Sequence, residues 1–166
     1  MVTPPAESVE FPTLLGDFPA PLLRVYPKYT LVAEKFEALV KLGIMNSRLK
    51  DFYDLWSLSQ ESDFEGLLLS QAIKNTFVNR STILPSRTPL ALTPEFVSST
   101  NKQKQWKAFL NKNRLPLDHT LEEILVTLSE FLMPPTLAAK HGQTFSKKWP
   151  PLGPWQIPGQ EFKAEL

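Results

Sequence analysis

Apolar and polar positions alternate with a helical rhythm through the middle of the chain and lose that rhythm at both ends. At about 100° per residue, Val32, Phe36, Leu39, Val40 and Gly43 cluster on one face. Leu31 and Leu42 lie at its edge, and Glu34, Glu37 and Lys41 lie opposite. This pattern predicts a first helix that starts at Thr30, an N-cap after Pro27, and ends at Gly43, which suits a left-handed C-cap. A second helix, capped by Asn46 or Ser47, carries Leu49, Phe52, Tyr53 and Trp56 at i, i+3, i+4 and i+7. The short link between the two makes them an antiparallel or steeply crossed pair. A third helix over Phe64–Asn79 has Leu68, Ala72, Ile73 and Phe77 as core positions and Ser62 or Asp63 as cap. Beyond a loop broken by Pro85, Pro89 and Pro94, a fourth helix is expected over Thr100–Arg114 and a fifth over Thr120–Met133. The run Thr120-Leu121-Glu122-Glu123 reads as a capping box at the start of the fifth.

Sixteen prolines set the limits of this pattern. Pro4, Pro5, Pro12, Pro19, Pro21 and Pro27 keep residues 1–29 extended, because each fixes φ and removes a donor. Within that segment Leu22-Leu23-Arg24-Val25-Tyr26 has the composition of one short strand, on an edge or paired outside the chain. Pro134-Pro135, Pro150-Pro151, Pro154 and Pro158 set off a tail over 134–166 that lies along the surface or stays mobile. The expected architecture is mainly α: a lobe of about five helices over 30–133, between an extended proline-rich N-terminal segment and a proline-rich tail.

Composition narrows the chemistry. With 166 residues the chain can form one domain that buries roughly 70% of its unfolded surface. Eighteen basic residues against seventeen acidic ones leave a net charge of +1, so any contact with a polyanion is local rather than field-driven. The absence of cysteine removes disulfides, thiolate metal sites and cysteine nucleophiles together. His119 and His141 are too far apart in sequence for a usual metal-ligand spacing. No stretch approaches the ~20 apolar residues of a membrane span, so the expectation is a soluble cytoplasmic protein without a membrane partner. P-loop, dinucleotide-binding and nucleophile-elbow signatures are missing.

Three groups of residues remain as candidates. Lys35 falls between Leu39 and Leu42 at the apolar edge of the first helix, where an amine needs a partner or a ligand. Asp51 and Asp54 lie about 60° apart on the second helix, with Lys50 one turn before Asp54. Lys35 with these acids forms either a cleft that grips phosphate or a structural salt bridge between neighbouring helices. The fourth helix offers Lys102, Lys104, Lys107 and Lys112, with Arg114 at its end and Trp106 and Phe109 interleaved. It is either an RNA contact or a solvated basic helix packed by its aromatics. His119, beside Asp118, is a general base or simply a solvated turn residue.

The residues also carry a family resemblance. Val32-Ala33-Glu34-Lys35-Phe36-Glu37-Ala38-Leu39 and Asn46-Ser47-Arg48-Leu49-Lys50-Asp51-Phe52-Tyr53-Asp54-Leu55 resemble the last two motifs of the AbiEii/AbiGii toxin family of nucleotidyltransferases. Thr76-Phe77-Val78-Asn79-Arg80, Gln105-Trp106-Lys107-Ala108-Phe109-Leu110 and Trp149-Pro150-Pro151-Leu152-Gly153-Pro154-Trp155 continue the likeness. The resemblance implies the C-terminal part of a DNA polymerase β-like fold and a type IV toxin, with a cognate antitoxin. Such an enzyme moves a nucleotidyl group from a nucleoside triphosphate to an acceptor such as tRNA. By that likeness Lys35 and Lys50 bind the nucleotide, Asp51 is the essential acid and Asp54 supports it. Mg2+ is expected for the full-length family enzyme. The Gly-Ser element and metal carboxylates of the family have no counterpart in this sequence. The chain is therefore expected to be the C-terminal half only, without a metal of its own and inactive alone. The alternative is a helical interaction module, without enzymatic activity, that binds a partner protein or RNA.

Overall fold

The computed structural model describes residues 26–43, 48–116 and 118–159. Residues Leu22 to Val25 of the expected strand, and the expected caps Asn46 and Ser47, lie outside them. The fold is mainly helical, as expected. Helices α1 (Tyr26–Leu42) and α2 (Leu49–Glu61) come first, followed by a two-residue strand β1 (Phe64–Glu65) and α3 (Gly66–Asn79). A 3-10 turn at Leu90–Leu92, a short α4 (Pro94–Ser98), α5 (Thr100–Lys112), α6 (Leu121–Lys140) and β2 (Lys148–Trp149) complete the described residues.

Several boundaries differ from the expected ones for physical reasons. Helix α1 begins at Tyr26 rather than Thr30, because Pro27 sits in the first turn, where a missing N–H has no intrahelical partner to lose. Its end at Gly43 (φ +56°) has the expected left-handed conformation. Phe64 and Glu65 do not open α3. They pair antiparallel with Trp149 and Lys148, and α3 starts only at Gly66, without a side-chain cap from Ser62 or Asp63. Gly66 is required there, since a Cβ would fall 2.5 Å from the Lys147 carbonyl oxygen, which accepts the Gly66 N–H at 2.7 Å.

Helix α6 begins with the expected capping box: Thr120 Oγ1 accepts the Glu123 N–H at 3.1 Å, and the Thr120 N–H reaches Glu123 Oε2. It does not stop at Met133 but runs through Pro134-Pro135 to Lys140. Pro135 has no N–H to give the carbonyl of Phe131, four residues earlier. The Trp155 indole N–H donates to that carbonyl instead, at 3.0 Å. The Thr136 hydroxyl donates to Leu132 O at 2.6 Å, and Pro135 O accepts from the Ser70 hydroxyl at 2.9 Å. At Pro135 the helix is therefore supported by a donor from a distant segment, which satisfies the carbonyl that the proline leaves open.

One core joins these elements. Helix α1 packs on α2 and α3, while α6 packs on α2 and α3 from the other side. Phe36, Leu39, Phe52, Leu55, Leu69, Ile73, Phe77, Leu128 and Phe131 are fully buried within it. The expected stripe of α2 is shifted: Leu49, Phe52, Leu55 and Ser59 are buried, whereas Tyr53 and Trp56 are only half-buried and turn toward α5. Part of the tail enters the core. Trp149 is 1% exposed, and its indole N–H donates to Ser59 O at 2.8 Å. Its ring packs 4.8 Å from Phe131 and 5.4 Å from Trp155.

Candidate functional site

Where α1 meets the start of α2, the structure brings together the four residues singled out from sequence. Lys35 Nζ donates to Asp51 Oδ1 at 3.0 Å and to Asp54 Oδ2 at 3.0 Å. Lys50 Nζ reaches the same Asp54 oxygen at 2.8 Å from one turn earlier. Arg48, immediately before α2, adds an ion pair from its Nε to Asp51 Oδ2 at 2.9 Å. Arg48 was not among the expected site residues, although it stands three positions before Asp51 in the same motif.

Burial is graded across the cluster. The Asp51 side chain is only 4% exposed, Lys35 15%, Asp54 27% and Lys50 75%. Asp51 lies in the first turn of α2, where free N–H groups and the helix dipole favour a carboxylate. Burial opposes the Lys35 ammonium, but hydrogen bonds to Asp51 and Asp54 outweigh it and hold its pKa above the ordinary lysine value. For Asp54 burial acts upward, and the hydrogen bonds from Lys50 and Lys35 bring the carboxyl below its usual range.

Beside this cluster a cleft of about 450 Å³ opens between the start of α2 and the face of α5. Arg48, Lys50 and Lys112 line it with Phe109 and Gln105, and among the described residues no acidic side chain does. The rest of α5 is a packed helix: Trp106 and Leu110 are buried, and Lys102 is drawn inward with its ammonium 5.1 Å from the Phe96 ring centre. Lys104, Lys107, Lys112 and Arg114 are exposed. His119 is not part of the Lys35 cluster; its ring lies 4.7 Å from Trp56, and Nδ1 is 3.3 Å from Glu123 Oε2.

A second ionic group was not anticipated. Glu37, expected on the polar face of α1, is 2% exposed. It accepts hydrogen bonds from Arg80 Nη1 at 3.0 Å and from the Thr82 hydroxyl at 2.5 Å, and Arg80 also lies 3.6 Å from Glu34. The available signal was angular, since position 37 stands about 40° from the buried Ala33.

The sequence profile of the family described as nucleotidyl transferase AbiEii toxin, type IV TA system, matches residues 1–127. The chain belongs to the AbiEii toxin family of nucleotidyltransferases. No curated protein and no solved structure matches it. As an AbiEii toxin of a type IV toxin–antitoxin system, it implies a cognate antitoxin. No helix among the described residues is long and apolar enough to cross a membrane. The cluster of this AbiEii chain does not suit a divalent metal, because the Lys35 ammonium already stands 3.0 Å from a carboxylate oxygen of each aspartate. Among the described residues no group of three or more acidic, histidine or cysteine side chains could hold one.

Proposed function

We propose that this AbiEii toxin binds a nucleoside triphosphate at the Lys35 cluster and its cleft, for nucleotidyl transfer to an acceptor such as tRNA. The observation that carries the reading is the excess of positive charge. Lys35, Arg48 and Lys50 share two carboxylates, and Lys112 lines the cleft with Arg48 and Lys50, with no acid in its lining among the described residues. A triphosphate can exchange into such a cluster, since its oxygens offer the cations the same charge-assisted contacts that Asp51 and Asp54 now supply. In this reading Lys35 and Lys50 take phosphate, Asp51 is the acid of the site, Asp54 supports it, and Phe109 presents a wall to the base. Mg2+, where bound, would offset charge developing on the phosphates. Among the described residues no group of carboxylates is arranged to hold it, so this reading assigns them nucleotide binding alone.

The test is equilibrium binding of labelled nucleoside triphosphates to the chain and its Lys35→Met and Lys112→Ala variants. Each lost contact to a charged group is worth roughly 1.5–3 kcal/mol, so affinity should fall about tenfold or more for each. If Lys35→Met lowers stability but leaves triphosphate affinity unchanged, the cluster is a structural salt bridge and the reading fails. Incorporation of labelled nucleotide into tRNA by the chain alone would show that it holds a complete transfer site.

A further inference from the structure

A second groove, of about 730 Å³, opens at the C-terminal end of α1, and its volume is that of a ligand or peptide site. One wall is the stretch between α3 and the 3-10 turn, which has no regular structure from Thr82 to Pro89. That stretch is nonetheless firmly rooted. Buried Glu37 grips Arg80 and Thr82 at its start, and Pro85 and Pro89 fix its backbone further on.

The chemistry of the lining selects the ligand. Val40, Leu84, Ile83 and Leu90 make it aliphatic, and two of them face water at a cost: Ile83 is 80% exposed and Leu90 52%. Arg87 and Lys140 bring positive charge from two different elements, against Glu95 alone among the described residues. Neither cation has an acidic partner among the described residues. Among the described residues no aromatic side chain lines the groove, so they offer no platform on which a nucleobase could stack. Aliphatic contacts with surplus positive charge at the rim complement a peptide that carries leucine-like anchors and acidic residues.

We propose that this groove docks an acidic segment of a partner protein, anchored by aliphatic side chains. The segment lies along the open groove, with its anchors over Val40, Ile83 and Leu90 and its carboxylates toward Arg87 and Lys140. The site is separate from the Lys35 cluster and does not depend on nucleotide.

The probes are a fluorescein-labelled peptide of alternating leucine and glutamate, the same peptide with lysine in place of glutamate, and ATP, each followed by anisotropy against the full chain. The acidic peptide should bind. Ile83→Asp, which removes an apolar contact, should weaken it about tenfold or more. The double substitution Arg87→Glu with Lys140→Glu should shift preference toward the basic peptide, and Lys35→Met should leave peptide affinity unchanged. All these side chains except Lys35 are exposed, so thermal midpoints of the groove variants should match the parent. Equal binding of both peptides, no binding, or indifference to the groove substitutions would overturn the proposal. Displacement of the acidic peptide by ATP, sensitive to Arg87 and Lys140, would also overturn it and assign the groove to a nucleotide.

Discussion

Helix α2 is anchored by charge at its first turns and by aromatic packing at its last. At the start Asp51 and Asp54 are held by Lys35, Arg48 and Lys50, all at 3.0 Å or less and partly open to water. At the end Ser59 O accepts the Trp149 indole N–H at 2.8 Å and the Leu152 N–H at 3.2 Å, beneath rings of Phe64, Phe131, Trp149 and Trp155. The two anchors differ in what can replace them. Charged partners are replaceable in kind: in the proposed reading another anion takes over the contacts that Asp51 and Asp54 supply. The packed rings admit no solute in place of a buried member such as Trp149. The distal end therefore fixes where α2 stands, and the proposed exchange of a carboxylate for a ligand is confined to its proximal end.

The largest effect is expected at the aromatic end. Trp149→Ala removes a fully buried ring and leaves Ser59 O with one donor fewer, so urea unfolding should show a loss of about 3–5 kcal/mol. A loss below about 1 kcal/mol would mean that the tail is peripheral. Next comes Asp51→Ala at the ionic end, which leaves Lys35 facing a partly buried gap and should cost about 3 kcal/mol. Lys35→Met should cost less, near 1 kcal/mol, because Asp51 keeps Arg48 and Asp54 keeps Lys50. Equal losses for the two variants would remove the distinction between exchangeable and fixed partners. Trp155→Phe keeps the ring packing but strips the donor from the Phe131 carbonyl. About 1–2 kcal/mol should be lost, with helicity reduced around Pro134-Pro135 in circular dichroism.

The smallest effect separates the two ends by pH. Asp54 has its folded pKa below its unfolded one, so its contribution is full above about pH 4 and is lost as pH falls through the folded value. Lys35 is raised, so its contribution is full below about pH 10.4 and is lost as pH rises through its folded value. Tyr29, pushed up to about 12 by burial, acts on the same alkaline side. Urea titrations across pH should therefore show a stability plateau with both limbs. Asp54→Asn should flatten the acid limb, while Trp149→Ala should lower the whole curve evenly. A change in limb shape from Trp149→Ala would couple the two ends and blur the contrast.

Where the sequence was sufficient, the signal was local and periodic. The capping box at Thr120, the left-handed end at Gly43 and the mainly helical class all follow from neighbours within a turn or two. The motif around Lys35 and Asp51 pointed to the AbiEii family, and the match over residues 1–127 bears that out. The meeting of Lys35 with Asp51 and Asp54 was legible as a need, because an amine at the apolar edge of one helix had to find acids on the next. Tertiary structure alone decided the passage of α6 through its prolines, the strand at Phe64 and the burial of Glu37. Each rests on a partner far away in the chain: Trp155 for Phe131, Trp149 for Phe64, Arg80 for Glu37. The chain by itself thus determined which segments coil and which side chains need partners, because those depend on spacing. Which distant group satisfies each open carbonyl or buried charge was settled only when the core closed, since hydrogen bonding and desolvation are decided by what is adjacent in space.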